Sequence, residues 1–270
     1  MAEASNEPYR PLTVDLDCWA SHASPEIAQH LFAILDIVDE NGALRRALTD
    51  PSRSAADRAR LVHSLLDGRA NGSAVDVVAD LASQRSASER ELGDGIERAA
   101  VLIAAAAAEN RGGGSALEGL MDELIRFKSM LDRSPEVQRA FSDSRADARA
   151  KVTLARRLRA PGSEEAALLI ERAVSAPRGS LPGRLLEHFA QWVADRQQRW
   201  IAHVETARPL REDQLARLHD GLNRLYARDL KLTTEVNPSL VGGLRVQVGE
   251  EIIDGSVTHR LARLQQRIGA

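Results

Sequence analysis

Cysteine occurs once in the 270 residues, at Cys18, which excludes an internal disulfide framework and fits a reducing compartment. Aromatic residues make up only 3% of the chain, so its cores must be built from Leu, Ala, Val and Ile, the mixture of interlocking helices. Lysine is confined to Lys128, Lys151 and Lys231; the remaining positive charge is arginine, interspersed with Asp and Glu to a net charge of -3. That alternation leaves no broad cationic face, which argues against a nucleic-acid partner. Long apolar runs are also missing. The longest, "AAVLIAAAAA" from Ala99 to Ala108, is far short of the roughly 20 residues that span a bilayer. The opening "MAEASNEPYRPLTVDLD" has neither the basic nor the apolar region of an export signal. Attachment to a membrane is therefore expected only through a partner.

Catalytic signatures are absent as well. There is no Gly-Lys-Ser/Thr phosphate loop, no HExxH and no CxxC. The seven histidines, His22, His30, His63, His188, His203, His219 and His259, show no metal-ligand spacing. The expectation is a chain with no catalytic residue, cofactor or metal. What is present is ordinary globular material: 43% hydrophobic and 28% charged residues, enough for one to three domains.

Sliding the sequence by 93 positions brings two stretches into register without a gap. "VDENGALRRALTD" (Val38 to Asp50) lies over "LDRSPEVQRAFSD" (Leu131 to Asp143), matching Asp39 with Asp132, Arg46 with Arg139 and Asp50 with Asp143. Apolar positions follow: Leu31 with Leu124, Leu48 with Phe141, Leu61 with Leu154, Leu65 with Leu158 and Leu92 with Leu185. Helical phase kept over this distance requires core positions at i, i+3, i+4 and i+7 to coincide, the mark of a duplicated helical unit. Ser24-Pro25-Glu26 and Ser134-Pro135-Glu136 place a capping hydroxyl before proline at a first helical position. Another helix should begin near Ser54, bury Leu61, Val62, Leu65 and Leu66, and stop by Gly68. "ENRGGGSALEG" between the copies is a turn, either a domain linker or an interhelical loop.

After Arg199 the period changes. "WIAHVETARPL" alternates as a strand, "REDQLARLHDGLNRLYARD" returns to helical period with Leu215, Leu218, Leu222, Leu225 and Tyr226 on one face, and "LKLTTEVN" alternates with Leu230, Leu232 and Val236 on one side. The paired glycine Gly242-Gly243 precedes the alternating "LRVQVG". A phosphate-binding glycine loop follows a strand and opens a helix, so this order excludes one. Gly249-Glu250 forms a hairpin turn into "EIID", and Ser256 caps a last helix with Val257, Leu261, Leu264 and Ile268 on one stripe. The fold class read from these patterns is mainly α with a small α+β C-terminal part: tandem helical bundles followed by a β-α-β-β-α domain. The expected domains are an extra helical bundle over 1–90, a second bundle over 91–198 and the α+β part over 199–270.

The ordered string from Val236 to Leu261, with Gly242, Gly243, an alternating strand, Gly249, then Asp254-Gly255-Ser256 and Arg260-Leu261, resembles the C-terminal signature of the F-type ATP synthase δ subunit (oligomycin-sensitivity-conferring protein) family. Both "VDENGALRRAL" and "LDRSPEVQRAF" resemble helical segments of that family's N-terminal bundle. Residues from about Glu91 onward are similar to a complete family member, and residues 1 to about 90 are extra.

The resemblance implies a non-catalytic stator subunit without a cofactor, at the cytoplasmic face of a bacterial cell membrane, one copy per complex. Its implied partners are an amphipathic N-terminal helix of the catalytic head's α subunit and the b-type peripheral stalk. The family's α-binding groove maps to helices at Glu97 to Glu109 and Ser163 to Val174, with Val101, Ala105, Leu168 and Leu169 as contacts, and Leu261, Leu264 and Ile268 are expected on the stalk side. The residues alone leave a second reading open, a generic helical adaptor that binds an amphipathic partner helix.

Overall fold

The computed structural model describes residues 12, 16–143, 145–198, 201–226, 230–238, 240, 242–248 and 251–254. The chain divides into two compact units, 1–193 and 194–270. The described part of the first is entirely helical: α1 Leu16–Ala20, α2 Pro25–Glu40, α3 Gly42–Thr49, α4 Ala55–Leu66, α5 Gly72–Ser83, α6 Glu89–Arg133, α7 Pro135–Ser142, α8 Ala148–Leu158, α9 Glu164–Ser175 and α10 Pro182–Gln198, the last crossing the division between units.

Local chemistry sets the helix starts. Ser24 Oγ accepts from the Ile27 amide at 3.3 Å, and Ser134 Oγ accepts from Val137 at 3.4 Å; each lies ahead of proline at the first helical position. Ser54 caps α4 in the same way and donates its own proton to Asp57, closing a reciprocal cap. Past the end of α4, Gly68 takes φ +72, the left-handed conformation glycine adopts without strain.

The sequence repeat has a geometric counterpart. α3 and α7 begin at Gly42 and Pro135, α4 and α8 at Ala55 and Ala148, α5 and α9 at Gly72 and Glu164; the subtractions give offsets of 93, 93 and 92 residues. The partner of α2 under this shift is the second half of α6. The two halves of α6 meet at Gly112 (φ -156, ψ 23) and Gly113 (φ 63, ψ -151), where the helical path breaks, so the glycine-rich stretch is an interhelical junction. Both repeats lie within one compact unit.

The first half of α6 is the centre of that unit. Leu92, Ile96, Ala99, Ala100, Val101 and Ile103 to Ala108 are all buried, and α1, α2, α3, α5 and α9 all pack on α6. A helix apolar around its whole circumference belongs inside a bundle, and alanine there lets neighbours approach closely. The apolar run from Ala99 to Ala108 is thus the axis of the helical core. Arg58, also buried, donates to the carbonyls of Ala82 (2.7 Å), Ser83 (2.9 Å) and Gln84 (3.1 Å) and so closes the C-terminus of α5, where a cation meets the negative end of the helix dipole.

The second unit holds a four-stranded sheet of order β2-β1-β3-β4 with one helix, α11 Glu212–Tyr226. β1 Ile201–Thr206 pairs in parallel with β2 Lys231–Val236, as the helical crossover requires, and antiparallel with β3 Leu244–Val248, which pairs with β4 Glu251–Asp254. Ala202, Val204, Leu222, Leu230, Val246 and Val248 form its core. The "EIID" segment counts as a strand in its own right, one more than the β-α-β-β-α reading contains; the last helix of that reading, from Val257, lies outside the described residues. Two residues assigned to apolar faces are exposed instead. Val236 ends the edge strand β2, and Leu225 sits on the rim of the stripe centred on Leu222.

Candidate partner-docking site

The trench expected to receive a partner helix lies between residues 97–109 of α6 and α9. In the structure α2 packs on both of these helices. Ala20, just ahead of α2, accepts from Asn110 Nδ2 at 2.6 Å, and Arg45, just beyond it, pairs with Glu89 at 3.7 Å, so α2 runs antiparallel to the first half of α6. On its α9 side, Arg172 donates to Asp36 at 2.5 Å and holds its guanidinium carbon 5.0 Å from the centre of the Phe32 ring, a cation–π stack.

A second arginine fastens the end of α2. Arg178, with φ 47 in the turn after α9, donates through Nε to Asp39 at 2.6 Å and through Nη1 to Asp94 at 2.9 Å and Glu97 at 3.2 Å. Burial works against its charge, but the Asp39 hydrogen bond and the charges of Glu97, Asp39 and Asp94 hold its pKa above the ordinary arginine value. Burial pushes the Glu97 carboxyl above the usual carboxylate range, against the opposing pull of Arg178 and Arg172. Gly93 leaves room for this clamp, since a Cβ there would collide with Arg178 Nη2.

The expected contact residues are placed as follows. Val101, Ala105 and Leu169 are fully buried, covered by the chain's own atoms, and Leu168 is half-buried. As the protein stands, those three side chains present nothing to a partner, because the trench is filled from the N-terminal repeat. Gly242 and Gly243 lead into β3, Gly243 at φ +85 where glycine is favoured, and Asp254 closes β4 opposite Arg245. Gly249, Gly255, Ser256, Leu261, Leu264 and Ile268 lie outside the described residues. The ion pairs of Asp36 and Asp39 with Arg172 and Arg178 were not legible in advance: the partners are 136 and 139 positions apart and no local motif joins them. Among the described residues no group of three or more His, Cys, Asp or Glu could hold a metal ion, and no helix is long and apolar enough to cross a membrane.

Mainly helical structure followed by a small α+β part is the fold class read from the sequence patterns, and the model of the family "ATP synthase delta (OSCP) subunit" matches residues 97–268. The chain belongs to the ATP synthase delta (OSCP) subunit family. It is 84% identical over 270 residues, the whole of both chains, to the ATP synthase subunit delta of Kocuria rhizophila. It is also 44% identical over 99% of both chains to that of Arthrobacter sp. (strain FB24), and 37% identical over 93% of both to that of Thermobifida fusca. The first two are matched over 99% or more of both chains, so the extra repeat is common to them. As a delta-family subunit the chain is a structural part of ATP synthase and not itself catalytic, and this displaces the generic adaptor reading.

Proposed function

We propose that this delta-family subunit is the peripheral-stalk link that holds the α/β catalytic head of a bacterial F-type ATP synthase to its b-type stalk. In this reading it works at the cytoplasmic face of the cell membrane, one copy per complex, and keeps the head from turning with the rotor. The observation that carries the reading is the full-length identity to an ATP synthase subunit delta, with a family match that runs through the second helical repeat and the sheet unit alike. Two units of different architecture also suit a link, since each offers its own surface to a different neighbour. Leu261, Leu264 and Ile268 are the side chains we assign to the stalk. Val101, Ala105, Leu168 and Leu169 are those the family resemblance assigns to a helix of the head, and occupation of that trench by a partner requires α2 to leave it.

The test is reconstitution. Membranes carrying an ATP synthase stripped of its delta subunit are given the full-length chain, and ATP-driven proton pumping is followed by fluorescence quenching. Restored pumping is expected. A chain that binds the stripped enzyme while hydrolysis continues uncoupled would rule the link out.

A further inference from the structure

With the family trench filled by α2, another groove is open. It lies between α2, α3 and α4, has a volume of about 640 Å³, and is walled by Ile34, Val38, Leu48 and Val62. Along its rim Ile37 is 48% exposed and Leu65 38%. The row Gln29, Ala33, Ile37, Asn41 at i, i+4 spacing is exposed and uncharged, an unusual dress for the solvent side of a surface helix.

The fold alone does not set the size of this groove, because the second repeat has the same place and narrows it. There the space is about 190 Å³. Ninety-three positions on, Ile34 becomes Phe127, Ala33 becomes Arg126 and Leu66 becomes Arg159, so bulk and charge stand where the first repeat has small or aliphatic side chains. His30 becomes Glu123, and the change reverses the polarity of the groove's end. Glu123 accepts from the Ser163 amide at the start of α9 at 3.1 Å, an anion satisfied within the chain. His30 Nδ1 accepts from the Asn71 amide at the start of α5 at 2.9 Å, which places the neutral ring's proton on Nε2, a donor. Arg69, two residues before Asn71, lines the same groove, is exposed, and has no carboxylate partner among the described residues. The positive N-terminus of α5 adds to the field there.

We infer that the α2–α4 groove of the first repeat is a second helix-docking site, and that its occupant is an amphipathic helix of the synthase's head bearing a carboxylate at the end that meets His30 and Arg69. The apolar wall takes two or three anchors at i, i+3/i+4 and i+7, and the two donors at one end fix the direction of the helix. The inference deepens the proposed stator role and rests on it.

The test uses the full-length chain and a fluorescent peptide of the first 25 or so residues of the same synthase's α subunit, read by anisotropy. Saturable binding is expected, weakened about tenfold or more by Ile37→Glu, Leu65→Glu or Ala33→Arg, all at exposed positions, and about tenfold by Arg69→Glu. Far-UV circular dichroism checks that each variant is folded. Ile125→Glu, at an exposed position of the second repeat outside either groove, should leave the affinity unchanged. If the groove variants bind as wild type does, or if the peptide fails to bind a chain that restores proton pumping, the groove assignment falls and the stator reading stands. A chain that restores no pumping defeats the stator reading itself. Dimers of the wild-type chain in light scattering that Ile37→Glu makes monomeric would give the groove to a second copy and overturn the assignment.

Discussion

The Asp36–Arg172 pair that fastens α2 to α9 should be lopsided in its energetics. Arg172's side chain is 5% exposed, and of its nitrogens only Nη1 finds an acceptor, Asp36; Nε and Nη2 find none among the described residues. Asp36's side chain is 48% exposed. Asp36→Ala therefore strands a buried guanidinium, and loss of one partner from such a charge costs about 3–5 kcal/mol. Arg172→Met leaves behind a carboxylate that water can reach and keeps an unbranched side chain against Phe32; what is lost is a charge-assisted bond and a cation–π contact, about 1–2 kcal/mol together after solvent compensation. In the double variant no charge is stranded, so it should sit near Arg172→Met alone, a coupling of about 3–5 kcal/mol, the whole cost of Asp36→Ala. Urea unfolding followed at 222 nm reads the helical unit, and melting shifts of roughly 2–4 °C per kcal/mol give a second measure. Equal cost for the two single variants, or additive costs in the double, would show that packing rather than charge burial governs this contact.

Three further outcomes follow. Because burial raises the Glu97 pKa in the fold, the folded state holds that proton more tightly than the unfolded chain; the group's contribution is full below its ordinary value of 4.5 and is lost as pH rises through the raised folded value, so the difference in melting temperature between wild type and Glu97→Gln should shift in favour of the variant across that window. Gly113→Ala should lower stability by about 1–3 kcal/mol purely through backbone strain, since nothing lies within 4 Å of a Cβ there yet φ is +63 and ψ -151; an unchanged urea midpoint would refute this. Val204→Ala, in the centre of the sheet's buried face, should cost about 1–3 kcal/mol, read as selective loss of amide-exchange protection in β1 and β3 while α6 stays protected.

The sequence by itself determined the elements and their repetition. Capping hydroxyls ahead of proline, apolar residues at helical spacing, alternation after Arg199 and the phase-preserving shift of 93 are all encoded within a few turns or strands of chain, and local steric and hydrogen-bond rules act on that scale. The family signature at Val236 to Leu261 was legible for the same reason. Only the tertiary structure decided what each face meets. Val101, Ala105 and Leu169 form part of an apolar stripe that reads equally well as core or as interface, and it became core because α2, more than sixty residues away in sequence, lies across it. Leu65 was expected inside its helix's buried face and instead stands on an open rim, as exposed as its counterpart Leu158 in the second repeat. Burial is a property of the assembled neighbours, and pairs such as Asp39 and Arg178 meet through the packing of separate helices, a choice that no stretch of local sequence contains.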